Sequence, residues 1–208
     1  PLIGFCGSPW TLAAYSIEGR SSKDFEKTLS FLESNQDDVH DLLTKYTDAC
    51  FLYLRKQVQS GADVIQIFDS WANLLTKEDL IEYSFNYINS LISALKLDPV
   101  TRNIPVIVFA RNPKCNIEEL INTSADCISL FWSMNDLNFE VAKNKVAIQG
   151  NLDPKILHES DEIIKKETYK ILEKFKEYPG YIFNLGHGIT PDISPDKIKY
   201  LTNIVREY

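Results

Sequence analysis

Polar and aromatic residues that could bind or transform a ligand follow six short apolar runs of the sequence. They stand at Gly7-Ser8-Pro9-Trp10, Asp69-Ser70-Trp71, Arg111-Asn112-Pro113, Trp132-Ser133, Gly150-Asn151-Leu152-Asp153 and Gly186-His187-Gly188. An apolar run that ends in Gly or Pro is typical of a buried strand followed by a turn. Because ligands of parallel α/β proteins bind beyond the carboxyl ends of the strands, these residues predict one binding site built from several loops.

His187 is the strongest single candidate among these residues. It is one of three histidines, and the glycines on both sides should leave its ring little shielded. Because a histidine titrates near neutral pH and can bind an anion or move a proton, we interpret it as functional. The alternative is that Gly186 and Gly188 simply serve a tight turn. The other two histidines, His40 in a charged helix and His158 in a polar loop, are expected to be solvated.

Four charged residues near the strand ends add acid and cation chemistry. Asp69 and Asp153 are the carboxylates best placed to act on a ligand, but each could equally cap the turn that follows it. Arg111 and Lys114 could bind an anionic group, or they could be ordinary surface charges. The sequence leaves both questions open.

The sequence contains none of the common signatures of metal, nucleotide or hydrolytic sites. It has no HxxxH, no HxC and no closely spaced cysteine pair, so no metal site is predicted. No Walker loop, GxGxxG or GxSxG string occurs, and Ser70 is therefore not identified as a hydrolase nucleophile. Gly150-Asn151 could hold a small anion through backbone N–H groups.

The composition is that of a globular protein: 208 residues, of which 44% are hydrophobic and 25% charged. A net charge of −7 argues against nucleic acid or a membrane surface as a partner. No apolar run approaches the roughly 18 residues of a membrane-spanning helix. Four widely spaced cysteines are expected to be free thiols in a reducing compartment such as the cytoplasm: Cys6, Cys50, Cys115 and Cys127.

Strands and helices alternate along the chain, and these elements must position the candidate residues. Strands are predicted at 2–6, 64–68, 105–110, 127–132, 146–149 and 181–185. Helical periodicity and capping signals predict helices after a capping box at Ser21 and Asp24, at 37–60, from Thr76 onward, at 116–122, at 137–142, from Asp161 onward and from Pro195 onward.

This alternation predicts an α/β fold with a mostly parallel sheet. Six strand–helix units fit an open doubly wound sheet, and they equally fit a (β/α)8 TIM barrel of which they supply six of the eight units. Residues 1–208 are interpreted as a single domain. Because the sequence opens at Pro1 inside a predicted strand, we expect it to be an N-terminally truncated fragment.

Four strings at the strand ends resemble segments of the uroporphyrinogen decarboxylases. GFCGSPWTLAAYSIEG at 4–19 is similar to the G-F-x-G-x-P-W-T-L-x-x-Y-x-x-E-G segment of that family. QIFDSWA at 66–72, QGNLDP at 149–154 and NLGHGI at 184–189, with Pro191, are similar to its Q-x-F-[DE]-S-x-A, QGNLDP and NLGHGI-x-P segments. The strings stand in the family's order and correspond to about the C-terminal three-fifths of a full-length member.

The resemblance implies a (β/α)8 TIM barrel that works as a cytoplasmic homodimer without a cofactor. Members of this family remove the carboxyl groups from the four acetate side chains of uroporphyrinogen III, which gives coproporphyrinogen III for haem and chlorophyll synthesis. Tyr15, Ser70 and His187 match the family's substrate-contacting Tyr, Ser and His.

The chain departs from the family pattern in two respects. The R-Q-A-G-R-Y segment that supplies the family's arginines and the F-x-D-I segment that supplies its essential Asp do not occur, so no catalytic acid is identified. Phe131 precedes Trp132 where the family usually has Asp. The resemblance therefore implies that the chain alone is inactive.

Two other functions are compatible with the same residues. One is a corrinoid- or zinc-dependent methyltransferase of the same superfamily, although that class uses His and Cys zinc ligands and no cysteine lies near His187 in the sequence. The other is an inactive fragment that merely dimerises.

Overall fold

Strands and helices alternate through the computed structural model, which describes residues 1–20, 22, 24–134 and 138–208. The strands are β1 (Ile3–Gly7), β2 (Val64–Asp69), β3 (Val106–Ala110), β4 (Cys127–Ser129), β5 (Ala147–Gln149) and β6 (Tyr181–Ile182). The helices are α1 (Pro9–Glu18), α2 (Glu26–Ser34), α3 (Gln36–Gln59), α4 (Lys77–Asp79), α5 (Asn86–Leu97), α6 (Ile117–Ile121), α7 (Asp161–Phe175) and α8 (Pro195–Glu207). Helical segments follow each strand, so the predicted α/β fold of six βα units is confirmed.

The chain forms two compact units, Pro1–Ile128 and Ser129–Tyr208. In the first unit β1 and β2 are parallel, with Ile3 opposite Val64. β2 and β3 are also parallel, with Asp69 opposite Ala110.

All five residues of β3 are buried, as expected for a strand of a parallel sheet that is covered on both faces. Helix α3 packs against α1, α5 and β1. The largest fully buried side chains of the first unit include Trp10, Leu43, Leu54, Ile65, Ile67 and Ile88.

In the second unit β5 and β6 are parallel, with Ile148 opposite Tyr181. Helices α7 and α8 pack against each other. A hydrophobic core of this unit is formed by Leu152, Leu157, Ile164, Ile193, Leu201 and Ile204.

Local sequence signals explain where several helices begin. Asn116 and Glu119 form a reciprocal capping box at the start of α6. Ser194 caps α8, and Pro195 occupies its first turn, where its missing N–H costs no intrahelical hydrogen bond. The capping box predicted from Ser21 lies outside the described residues, and α2 begins at Glu26 instead.

Three predicted elements are shorter by three residues each in the structure. β4 ends at Ser129 rather than at residue 132, although the backbone N–H of Leu130 still donates to the carbonyl oxygen of Gln149 at 2.8 Å. β6 ends at Ile182, and a single bridge between Leu152 and Leu185 continues the pairing. The helix predicted at 137–142 is a 3₁₀ turn, Phe139–Val141, and its predicted first residue lies outside the described ranges.

Within the described ranges, no helix combines the length and the apolar character needed to cross a membrane.

Candidate active site

The three predicted site residues lie on loops or helices that follow strands. Tyr15 is on α1, after β1, and is 41% exposed. Ser70 directly follows β2 and is half-buried. Both belong to the first unit, whereas His187 is exposed in a turn of the second unit.

A buried carboxylate ties the loop after β1 to the loop after β2. Asp69 is fully buried, and its Oδ1 accepts hydrogen bonds from Ser8 Oγ at 3.0 Å and Thr11 Oγ1 at 3.1 Å. Thr11 Oγ1 also accepts the backbone N–H of Ser70 at 2.9 Å. Through this network, the start of α1 and the residue that follows β2 are held together.

A π-helical segment, Leu80–Phe85, brings a third hydroxyl to the same carboxylate. Ser84 Oγ donates to Asp69 Oδ2 at 2.5 Å, and Ser84 is fully buried. Three consecutive residues of this π-helical segment, Tyr83, Ser84 and Phe85, are buried. The sequence prediction missed Ser84 because it assumed α-helical periodicity; the available signal was a small polar residue within an apolar stripe.

Burial makes Asp69 a positioning group rather than a proton donor to substrate. Burial raises the pKa of the Asp69 carboxyl, while hydrogen bonds from Ser84, Ser8 and Thr11 oppose the shift. The side chain has no exposed surface, so it cannot contact a ligand in this conformation. Asp153, the other candidate, accepts the backbone N–H of Lys155 at 2.9 Å and caps a 3₁₀ turn, which confirms the capping alternative for that residue.

Aromatic side chains form a wall beside Ser70. The Trp71 ring lies edge-on to Tyr15, with centroids 5.8 Å apart, and packs against buried Phe25 at 4.3 Å. The indole N–H of Trp10 donates to the carbonyl oxygen of Trp71 at 3.1 Å, so the GSPW string also fixes the backbone of this wall. The result is a partly apolar surface beside which stand Tyr15, on α1, and Ser70, in the loop after β2.

One cation joins this wall. The Arg111 guanidinium lies over the Trp71 ring, 5.5 Å from its centroid. The Arg111 backbone N–H donates to the carbonyl oxygen of Asp69 at 3.0 Å, which extends the β2–β3 pairing by one residue. Lys114, the other predicted cation, is exposed.

In the second unit, the turn that holds His187 packs tightly on the backbone of Trp132. A Cβ added to buried Gly186 would lie 2.4 Å from the backbone nitrogen of Trp132 and 2.5 Å from its Cα. Gly188 has no neighbour within 4 Å of such an added atom. Gly186 therefore permits a close backbone approach, and this explains one of the two glycines that flank the histidine.

Phe131 lies beside His187. The two rings meet edge to face with centroids 5.9 Å apart, and Phe131 also packs against Trp132 at 5.4 Å. A carboxylate in place of Phe131 could accept a hydrogen bond, whereas the phenyl ring offers the imidazole an apolar edge contact.

The Gly150 loop is occupied by structural hydrogen bonds. The backbone N–H groups of Gly150 and Leu152 donate to the carbonyl oxygens of Ile182 and Asn184, at 3.0 and 3.1 Å. Asn151 Nδ2 donates to the carbonyl oxygen of Phe131 at 3.2 Å. The anion-binding hypothesis for this loop gains no support, because two of its N–H groups are already used.

His40 is not the solvated residue that the sequence suggested. Its ring stacks on Tyr83 at 4.9 Å, its Nδ1 lies 2.7 Å from Tyr87 Oη, and its Nε2 lies 3.3 Å from a carboxylate oxygen of Glu82. These contacts join α3 to the helical segment after β2.

The four cysteines are free thiols, as predicted. Burial raises the pKa of Cys115 and of Cys127 to about 12, so both stay protonated. Cys6 and Cys50 are both buried, and their side chains interact with each other. Cys50 Sγ also donates to the carbonyl oxygen of Gly7 at 3.6 Å. Among the described residues, no group of three or more His, Cys, Asp or Glu side chains has an arrangement that could hold a metal ion.

Comparison with a known structure bears on the fold. A methyltransferase from Methanosarcina mazei has a TM-score of 0.79 and 20% sequence identity, over 100% of this chain and 58% of that chain. At this level of identity, the likeness shows a shared fold.

Comparison of sequences bears on the family. A sequence model of the family described as "Uroporphyrinogen decarboxylase (URO-D)" matches residues 1–208. Curated uroporphyrinogen decarboxylases from Ruthia magnifica and Alcanivorax borkumensis are 40% and 41% identical over 210 and 209 residues. These matches cover 100% of the chain and 60% and 59% of the two relatives, so the chain spans about three-fifths of their length. The chain belongs to the uroporphyrinogen decarboxylase family.

Proposed function

We propose that the protein carrying this chain decarboxylates uroporphyrinogen III to coproporphyrinogen III. The observation that carries the proposal is the Asp69 network, which holds the loops of two family strings together and so presents Tyr15 and Ser70 on one surface. Family membership supports uroporphyrinogen as the ligand of that surface.

The reaction requires a protein to supply proton transfers, to stabilise a cationic ring and to bind carboxylates. A proton must add to a pyrrole carbon, and the bond to the carboxylate must then break with loss of CO₂ to leave an exocyclic methylene. A second proton must reach that exocyclic carbon to form a methyl group, and the first proton must leave the ring carbon, so that each CO₂ lost consumes one proton in total. The positive charge of the protonated ring must be stabilised, and the substrate's eight carboxylates must be bound. No redox step occurs, so the proposal requires no cofactor.

The residues of this chain fit binding and orientation better than proton donation. Tyr15, Ser70 and His187 can donate hydrogen bonds to carboxylates, and we propose that all three contact the substrate. The wall formed by Tyr15 and Trp71 can pack against a pyrrole and exclude water from it. Asp69 is enclosed, so a residue other than Asp69 must supply the acid.

We further propose that both compact units belong to one barrel domain and that the protein works as a cytoplasmic homodimer. The family resemblance supports the dimer, and four free thiols support a reducing compartment. Sedimentation equilibrium tests the dimer: a monomer at micromolar concentration would contradict it.

The methyltransferase alternative has no specific observation in its favour, because the likeness to the Methanosarcina mazei structure concerns the fold alone. The test is to incubate the purified protein that carries this chain with uroporphyrinogen III and follow coproporphyrinogen by fluorescence after oxidation. We expect turnover in the wild type and a clear loss in Ser70→Ala. A folded protein that leaves uroporphyrinogen unchanged would contradict the proposal.

A further inference from the structure

We propose that Arg111 binds a substrate carboxylate that the reaction leaves in place, an inference that rests on the proposed function and deepens it. The position of Arg111 is fixed by the sheet. Asp69 lies opposite Ala110, and the Arg111 N–H donates to the carbonyl oxygen of Asp69 at 3.0 Å. Arg111 therefore stands beside Ser70 at the carboxyl ends of two paired strands.

The guanidinium is held against an aromatic face. Its central carbon lies 5.5 Å from the Trp71 centroid, and Trp71 packs edge-on to Tyr15. Stacking on an indole stabilises a cation and restricts its rotation. The planar fork of N–H donors is thereby oriented before a ligand arrives, and bidentate binding of a carboxylate requires such a geometry.

Within the described ranges, no Asp or Glu forms an ion pair with Arg111. Arg55 provides a contrast, because its Nε lies 3.0 Å from Asp98 Oδ2. The chain has 29 acidic and 22 basic residues, so carboxylates are abundant. Arg111 is half-buried, forms no ion pair with a carboxylate within the described ranges, and lies next to two site residues that carry hydroxyls. This environment fits an anionic ligand.

The chemistry of the reaction decides which carboxylate this is. A bidentate arginine stabilises a carboxylate anion, and that carboxylate must lose its charge as CO₂ if it belongs to the reacting acetate. Binding the reacting group in this way would stabilise the ground state and slow the reaction. A carboxylate that persists, such as a propionate, is held equally in substrate, transition state and product, so Arg111 contributes uniform binding.

The experiment compares Arg111→Gln, Arg111→Lys and Arg102→Gln in the protein that carries this chain. Arg102 is exposed and precedes β3, so its variant removes the same charge at the opposite end of that strand. KM and kcat for uroporphyrinogen are measured together with the inhibition constant of coproporphyrinogen, which retains the propionates. Melting curves show whether each variant is folded.

We expect Arg111→Gln to raise KM and the coproporphyrinogen inhibition constant by the same factor, about ten- to a hundredfold, with kcat nearly unchanged. Arg111→Lys keeps the charge without the fork and should fall between wild type and Arg111→Gln. Arg102→Gln should match the wild type.

Three results would overturn the inference: an unchanged KM in Arg111→Gln, a raised KM with unchanged coproporphyrinogen inhibition, or a fall in kcat alone. A wild-type protein without turnover would instead contradict the proposed function. Direct binding of coproporphyrinogen to wild type and Arg111→Gln would then still test whether Arg111 binds a carboxylate.

Discussion

Ser84 donates a hydrogen bond to the buried carboxylate of Asp69 at 2.5 Å, although the two residues lie on different elements. Asp69 ends β2, and Ser84 lies in the π-helical segment Leu80–Phe85. The contact anchors the π-helical segment to the end of β2, directly before Ser70. The position of the loop that carries Ser70 therefore depends on the π-helical geometry that places Ser84 against Asp69.

Replacing Ser84 with Ala should destabilise the protein by about 1–3 kcal/mol, because a buried carboxylate oxygen loses its hydroxyl donor. The control is Ser90→Ala. Ser90 is exposed and donates to the carbonyl oxygen of Asn86 within its own helix, so its loss should cost about 0.5 kcal/mol or less. Urea unfolding of both variants measures the difference. Equal stabilities would show that Ser84 contributes no more than a surface serine.

The pKa of Asp69 predicts a pH dependence of stability. Burial raises this pKa in the folded protein, so the folded state keeps a proton that the unfolded state releases near pH 4. As the pH rises from the unfolded to the folded pKa, the Asp69 contribution to the free energy of unfolding should fall. Asp69→Asn does not titrate, so its stability relative to wild type should improve across that range.

Urea unfolding of wild type and Asp69→Asn at several pH values above 4 checks this expectation. If the wild type instead gains stability relative to the variant as the pH rises, the hydroxyl donors outweigh burial and the direction of the shift is wrong.

The glycines on either side of His187 should respond differently to substitution. Gly186→Ala brings a Cβ within 2.4 Å of the Trp132 backbone nitrogen, so the turn must move; we expect a loss of about 1–3 kcal/mol and lower activity. Gly188→Ala meets no atom within 4 Å and should be close to neutral. Melting temperatures and turnover of the two variants test the contrast, and equal effects would contradict the close approach at Gly186.

His187→Ala should weaken catalysis without abolishing it. One charge-assisted hydrogen bond to a substrate is worth about 1.5–3 kcal/mol, which corresponds to about a ten- to a hundredfold loss in kcat/KM. His187→Gln retains a donor and should lose less. Complete loss of turnover in a folded His187→Ala protein would assign the histidine a larger role than binding.

The sequence predicted the strand–helix order because apolar runs, caps and glycines are local signals. It did not predict Ser84, since a π turn departs from the periodicity by which buried positions are recognised. It could not distinguish Asp69 from Asp153 either. Both follow strands, but burial among hydroxyls separates Asp69 from Asp153, a half-buried cap. The position of Arg111 over Trp71 depends on the register of two strands, which no local pattern specifies.

The central claim is that the protein carrying this chain decarboxylates uroporphyrinogen. The most direct test compares the isolated chain with a chimaera in which a relative supplies the rest of the enzyme. This chain replaces the matched 210 residues of the Ruthia magnifica relative, and coproporphyrinogen formation from uroporphyrinogen is measured. Because the F-x-D-I and R-Q-A-G-R-Y segments are absent from the sequence and Asp69 is buried, the isolated 208-residue chain should show no turnover. The folded chimaera should be active, and Ser70→Ala should impair it. A folded chimaera that binds uroporphyrinogen but releases no coproporphyrinogen would contradict the account.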